Sequence, residues 1–320
     1  MLTRRSSKPC CLRIAIMADL GTVASVTVTF SPDPALLHAQ LMALPSELRK
    51  VVVDNGSPEE VWSGVLPILE GIENLEILRL GENLGLAAGT NAGARYIAKA
   101  GSPRFLLILD QDSVPVSDAV LRMVEAFLAL EEGGLAVGAV GPALLDPATG
   151  RHHGFHEIHG LRWRRVHPKD DAPIRCDGLN GSGTLTDFAL FERLGGLDAE
   201  LFIDHVDTEW SFRLASDGWL MFGIPDAEFE HRMGDNSMRI WLGKWTVWPI
   251  RSPLRHRYLF RNAIRLWSRP YVPLTWKVWV VPKLLLTILV CAIAGPSRWS
   301  QMKSIARGVA DGLRGIGGAI

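Results

Sequence analysis

An apolar run, Phe105–Leu109 (FLLIL), leads directly into Asp110-Gln111-Asp112-Ser113. Alternate residues of an extended chain share a face, so Asp110 and Asp112 can address one cation together. Hard oxygen donors suit Mg2+ or Mn2+, which bridge phosphates and neutralise leaving-group charge. The same residues also suit a capped turn, with Asp112 or Ser113 satisfying backbone donors. Asp54 ends the run Lys50–Val53 in the same manner. It can accept the imide N–H of a uracil or thymine base, or form an Asx turn into Gly56. The stretch Asn83-Leu84-Gly85-Leu86-Ala87-Ala88-Gly89-Thr90-Asn91 places small residues at a helix start. That admits a nucleotide at close range, or simply packs a helix on a strand. Further on, Asp204-His205-Val206-Asp207-Thr208-Glu209-Trp210 gathers three carboxylates. Asp204 and Asp207 are expected on one helical face and Glu209 on another. A carboxylate at a helix start is stabilised by the helix dipole, yet one of three can also act as general base towards a hydroxyl. His231, after Ala227–Glu230, can add a nitrogen ligand to a metal.

The elements that must position these groups alternate. Val23–Phe30 is a β-branched run stopped by Ser-Pro-Asp-Pro, and Ala35–Leu44 then has a helical pattern. Strands at Lys50–Val53, Leu75–Leu80 and Phe105–Leu109 follow, with helices over Ala87–Ala100 and Ser117–Leu130. This alternation predicts parallel βαβ units, whose ligands bind beyond the carboxyl ends of the strands. Residues 151–187 hold five of the nine histidines, at spacings that match no zinc motif, and suggest a loop or hairpin lining a substrate cleft. Helices at Ala189–Leu194 and about His205–Ser216, then a strand at Trp219–Ile224, complete the series.

Composition excludes disordered, collagenous and disulfide-framework proteins, since 48% of the 320 residues are hydrophobic and only four are cysteines. Cys10, Cys11, Cys176 and Cys291 show no CxxC spacing, which suits a reducing compartment. No GxGxxG follows the first strand and no GxxxxGK[ST] occurs, so neither a dinucleotide fold nor a P-loop is expected. The net charge of zero conceals a division. From Arg239 onward there are fourteen Lys/Arg and one acidic residue, Asp311, leaving the front near −13 and the tail near +13. Seven of the eleven tryptophans also lie in the tail. Basic residues interleaved with Trp, beside the uncharged block Leu284–Gly295, suit an anionic membrane surface better than nucleic acid. That block is shorter than the ~20 residues of a bilayer span, so a monotopic or re-entrant helix is expected.

Taken in order, VTVTFSPD, VVVDNGS, NLGLAAGTNAGAR, LLILDQDS, GSGTLTDFALFERLGGLD, FIDHVDTEWSFRL and the EHRMG around His231 resemble the family 2 glycosyltransferases. Within that family, of inverting enzymes with a GT-A fold, the chain is similar to the bacterial rhamnosyltransferases. The resemblance implies an α/β fold with a mostly parallel sheet flanked by helices. The catalytic domain is expected over 23–238, after an N-terminal extension over 1–22 and before a helical, basic, membrane-associating region over 239–320. The donor half of the catalytic domain is expected over about 23–115 and the acceptor half over 116–238. The implied partners are a nucleotide-diphospho-sugar donor such as dTDP-rhamnose, a lipid-linked saccharide or glycan acceptor, and the cytoplasmic membrane face. Donor binding would fall to Thr29, Asp54, Asn83, Gly85, Asn91, Asp110 and Gln111. Asp112 and His231, with Asp110 as a further candidate, would hold Mg2+ or Mn2+. Asp207 would be the general base, with Glu209 and Asp204 as alternates, although Val206 stands where the family's acidic motif usually has Glu. A non-catalytic scaffold of the same fold is one rival. A sugar-nucleotide-forming nucleotidyltransferase is another, but it calls for a Gly-rich, basic loop where this chain has Ser-Pro-Asp-Pro.

Overall fold

The computed structural model describes residues 19–231, 237–241, 243, 245–293 and 295–320. Residues 1–18 of the expected extension, and residues 232–234 of the EHRMG segment, lie outside the described residues. The strands are β1 (Val23–Thr29), β2 (Arg49–Asp54), β3 (Leu75–Arg79), β4 (Phe105–Asp110), β5 (Ser113–Pro115), β6 (Val137–Asp146) and β7 (Arg151–His153). They continue as β8 (Phe155–His159), β9 (Arg162–Val166), β10 (Ile174–Cys176), β11 (Thr184–Asp187), β12 (Leu220–His231), β13 (Ser237–Trp241) and β14 (Trp245–Pro249). The helices are α1 (Pro34–Ala43), α2 (Glu59–Leu69), α3 (Leu86–Ala98), α4 (Ala119–Glu132) and α5 (Phe188–Arg193). After these come α6 (Val206–Ser216), α7 (Pro253–Trp267), α8 (Leu274–Ile293) and α9 (Arg298–Leu313).

The main sheet runs β10-β12-β6-β11-β4-β1-β2-β3. Strands β4, β1, β2 and β3 are mutually parallel, and β11 enters antiparallel between β4 and β6. A sheet buried on both faces needs continuous apolar strands rather than alternation, and β1 is buried along its whole length. One face carries α1, α2 and α4 through Leu37, Leu41, Trp62, Val65, Met123 and Phe127. The other carries α3, α5 and α6, and receives Trp276 and Val280 from α8. Helix α3 presses close to β1 because its contact face is small: a Cβ on Gly93 would meet Val26 at 2.6 Å, and one on Gly89 would meet Val28 at 2.8 Å. Gly89, within the 83–91 stretch, and Gly93 just beyond it therefore serve helix–strand packing.

Most predicted elements form within a few residues of expectation; strands β5, β6 and β11 were unanticipated, and several further features differ. Helix α2 was unanticipated, since Pro67 inside it reads locally as a breaker. The two short runs ending at Ile224 and beginning at Ala227 belong to one strand, β12, which absorbs Pro225 and Asp226 in a register shift against β6. The tail expected to be helical from 239 opens instead on the antiparallel hairpin β13–β14, and its helices begin at Pro253, capped by Ser252. Helix α8 is also longer than the uncharged block, spanning 20 residues with Pro282 inside it.

Candidate active site

The carboxyl edge of the sheet gathers the chemistry. In register, Val28 of β1 faces Asp110 of β4, and Thr29 faces Asp54 of β2. The chain leaving β4 turns sharply into β5, which pairs with the end of β12 so that His231 stands opposite Ser113. This pairing brings Asp110, Asp112 and His231 together, with one ligand atom from each within 4.8 Å of the others. Nδ1 of His231 lies 3.0 Å from Ser113 Oγ and 3.5 Å from Asp112 Oδ1. Two carboxylates and an imidazole form a donor set that fits a divalent cation of the Mn2+ type, taking both hard oxygen and borderline nitrogen.

Two residues unassigned by sequence reasoning hold this turn. Gln40, fully buried on α1, donates from Nε2 to the carbonyl oxygens of Asp110 (2.5 Å) and Ser113 (2.6 Å), and its Oε1 accepts from Thr27 (2.9 Å). A polar residue on the apolar Leu37–Leu41 face of a helix was the available signal. Ser182 donates to Asp110 Oδ2 at 2.5 Å, which fixes the carboxylate's rotamer. Gln111 accepts from the Phe30 N–H (2.9 Å) and ties the exit of β1 to the same turn.

The other expected donor-binding residues form the adjoining loops. Thr29 is buried and donates to Val53 O. Asp54 is also fully buried, accepting from Ser57 N–H at 3.0 Å and from Arg79 Nε at 3.1 Å. It is an Asx-type cap with an ion pair. Asn83 Oδ1 accepts from Asn55 and from the Gly85 N–H, so Asn55 and Asn83 clasp two loops. Gly85 sits at φ +88°, where a Cβ would meet the Phe202 ring at 2.6 Å. Asn91 is directed elsewhere: both ends of its amide bond the backbone of Leu197.

The three carboxylates around α6 have distinct surroundings. Asp204 does not share a helical face with Asp207. It lies before the helix in a turn where Phe202, Asp204 and His205 all have left-handed φ, between +61° and +64°. Asn262 of α7 holds this unusual turn by donating Nδ2 to the carbonyls of Leu201, Ile203 and Asp204 at 2.7–2.9 Å. The Asp204 carboxylate pairs with Arg251 (3.1 Å) and Arg255 (2.7 Å). Burial alone would raise its pKa, but the two guanidiniums overcome that and hold it below the ordinary value. Glu209 is buried against Arg213, with bonds of 2.8 and 2.9 Å, and also meets Arg269 and Tyr271. Asp207 is different: among the described residues no cation pairs with it. Burial, followed by the negative charge of Asp110, raises its pKa, while the Thr208 and Gly181 backbone N–H groups oppose the rise. A half-buried carboxylate of raised basicity next to a metal-type site is suited to removing a proton.

A strand-end acidic centre on a mostly parallel sheet defines a GT-A-type nucleotide-sugar transferase fold. The solved structures agree. GalNAc-T7 with UDP, GalNAc and Mn2+ superposes with a TM-score of 0.57 at 16% identity, covering 92% of this chain and 56% of that one. The mannosyltransferase PcManGT from Pyrobaculum calidifontis, in complex with GDP-Man and Mn2+, gives 0.55 at 16% identity, covering 91% and 87%. The glycosyl transferase family 2 model matches residues 35–194. The chain belongs to glycosyl transferase family 2 and is a glycosyltransferase. It is 31% identical over 302 residues to the dTDP-rhamnosyl transferase RfbF of Shigella flexneri, covering 93% of this chain and 97% of the relative. It is 25% identical over 249 residues to the N-acetylglucosaminyl-diphospho-decaprenol L-rhamnosyltransferase of Mycobacterium tuberculosis, covering 67% and 77%.

Proposed function

We propose that the protein transfers L-rhamnose from dTDP-rhamnose, with inversion and dependence on a divalent cation, to a hydroxyl of a lipid-linked or polysaccharide acceptor. The observation that carries this reading is the convergence of Asp110, Asp112 and His231 beside Asp207, the one α6 carboxylate without a cation partner among the described residues. The rhamnosyl donor is supported by the relatives' named activities. Asp110, Asp112 and His231 would hold a Mg2+ or Mn2+ ion, which when bound would supply charge neutralisation for the leaving nucleoside diphosphate. Asp207 takes the proton of the acceptor hydroxyl as that oxygen attacks the anomeric carbon from the opposite face. The Thr208 and Gly181 N–H groups keep its carboxylate aimed. Thr29, Asp54, Asn83, Gly85 and Gln111 shape the loops beneath the nucleotide, Asp54 by fixing the 54–57 turn.

Attachment to the cytoplasmic face of a membrane, peripheral or monotopic, belongs to the same proposal. Helix α8 is long and apolar enough to cross a membrane by length and composition. Its Leu274, Val278, Val281, Leu285, Leu289 and Ile293 are exposed, while Trp276, Val280, Thr287 and Val290 face inward. A helix with one face in the protein core suits lying on a surface. A donor screen tests the function: purified protein with common nucleotide sugars, reading nucleoside diphosphate release. Release from dTDP-rhamnose above the other donors is expected. Equal or greater release from another sugar nucleotide refutes the donor assignment.

A further inference from the structure

Phe202 holds a backbone conformation that residues with side chains rarely adopt. Its φ is +61° and its ψ −67°, and the Ile203 N–H donates across it to Leu201 O at 2.7 Å. That is a γ-turn of the rare, strained hand. Asp204 and His205 follow in the left-handed region, and α6 begins at the next residue. Such strain persists only where the surroundings over-determine it, and it concentrates at sites where geometry matters to function.

The surroundings come from one face of α7, through Tyr258, Arg261 and Asn262 at helical spacing. Asn262 bonds three carbonyls of the turn. Arg261 is fully buried, and its guanidinium donates to Glu200 O (3.0 Å), Leu201 O (3.1 Å) and Gly318 O (2.6 Å). Among the described residues no carboxylate bonds it, and a charge buried against carbonyls alone is a costly way to hold a loop. Arg261 also lies over the Tyr258 ring, 4.8 Å from its centroid. Tyr258 in turn stacks on Phe202, with centroids 4.7 Å apart and planes 5° from parallel.

Phe202 also meets the donor side. Its carbonyl accepts from the N–H of Leu86, the first residue of α3, at 2.7 Å. Its ring covers Gly85, where a Cβ would approach to 2.6 Å. The Gly85 N–H is held by Asn83, and Asn83 by Asn55, which follows Asp54. One residue therefore touches both the loop expected to receive the nucleotide and the turn that delivers Asp207. Among the described residues, neither Phe202 nor Tyr258 belongs to the apolar clusters that cover the two sheet faces, so this stack is not part of the general core.

We infer that Phe202 is a positioning residue that ties donor binding to the placement of Asp207. A donor that orders the Asn83–Leu86 loop steadies the Phe202 turn, and with it the start of α6. The tie is reciprocal, so loosening the turn from the α7 side weakens donor binding. Phe202 acts through Leu86 and Asp207 and needs no contact with either substrate. The inference rests on the glycosyltransferase reading above and adds the residue that couples its two halves.

Two measurements on the full chain test it. Hydrogen exchange without substrate reads the tie itself. Tyr258→Leu removes the stack from the α7 side and should speed exchange of the Leu86 and Glu209 amides together by ~10-fold, the scale of one aromatic pair. Strands β1 and β4 should keep their protection, which shows that the variant is folded. Steady-state kinetics read the consequence. Phe202→Leu should raise the donor KM and lower kcat, with kcat/KM falling ~10-fold. Phe202→Tyr keeps the ring and should recover most of that loss. The double variant Phe202→Leu with Tyr258→Leu should lose little more than either single one, since both remove the same stack. Exchange that quickens at only one of the two amides, a kcat loss with donor KM unchanged, or losses that add would each overturn the inference. Wild type that releases nucleoside diphosphate from another sugar nucleotide in preference defeats the rhamnosyl reading instead, and the exchange result, which uses no donor, stands apart from it.

Discussion

Arg255 reaches back along the chain to Asp204 and closes on it, Nη2 to Oδ1, at 2.7 Å. With Arg251 on the same carboxylate, this contact lowers the basicity of Asp204 and makes it an anchor between α7 and the turn before α6. Asp207, three positions later, keeps its basicity because no guanidinium among the described residues reaches it. Two like residues close in sequence thereby acquire different surroundings from partners that lie far away in the chain, and with them the different tasks proposed above.

Substitution separates those tasks. Asp207→Asn should lower turnover by about 10²-fold or more with donor affinity nearly unchanged, the range for loss of a general base. Asp204→Asn should instead lower stability by ~1–3 kcal/mol, since it weakens a buried acceptor of two partly solvated guanidiniums. Steady-state kinetics and denaturant melts on both variants read the difference. Near-wild-type turnover in Asp207→Asn would move the base to Glu209 or Asp204.

The pH dependence follows from the direction of the Asp207 shift. A base acts when deprotonated, so activity is lost as pH falls through its pKa. Burial, the larger cause, and the Asp110 charge both raise that pKa. A metal at Asp110 cancels only the second contribution. The acid limb of kcat should therefore lie above the ordinary aspartate value of ~3.9. The folded state also holds this proton more tightly than the unfolded chain does, so ionised Asp207 costs stability at neutral pH and the cost fades as pH falls through the raised pKa. Asp207→Asn should melt no lower than wild type at pH 7. A limb at or below the ordinary value, or a clear drop in melting temperature, contradicts this account.

Gln40 is predicted to be a positioning residue for the acidic turn. Gln40→Leu retains apolar packing but leaves the Asp110 and Ser113 carbonyls without their donor, at a cost of ~1–3 kcal/mol. Its particular signature is weaker Mn2+ binding by the folded variant, measured by calorimetry. Mn2+ affinity equal to wild type would leave Gln40 a purely structural role.

Membrane attachment can be tested without truncation, which would remove Trp276 and Val280 from the core. Leu285→Asp with Leu289→Asp alters only the exposed row of α8. Full-length wild type should float with anionic liposomes at low salt, less so at high salt, and the double variant should remain at the bottom. Wild type that ignores liposomes at low salt would refute the attachment.

The strands were legible because β1, β2 and β4 are continuous β-branched or aliphatic runs that end in polar turns, and a local pattern suffices to read them. The metal-type pair was legible for the same reason, since Asp110 and Asp112 sit on one turn. The Asp54–Arg79 ion pair and the fate of Asn91 were not, because Arg79 and the Leu197 backbone are distant in sequence from the residues they hold. The turn at Phe202–His205 carries no glycine to announce its left-handed backbone, and it holds because Asn262 binds three of its carbonyls. Likewise α2 hides behind Pro67.

The most direct test of metal-dependent transfer at this centre is dTDP release from dTDP-rhamnose in the presence of acceptor, measured with Mn2+ and again in excess EDTA. The account predicts release with Mn2+, almost none in EDTA, and almost none in either condition for Asp112→Asn, whose half-exposed side chain can be replaced without disturbing the core. Full turnover in EDTA, or by Asp112→Asn, would contradict it.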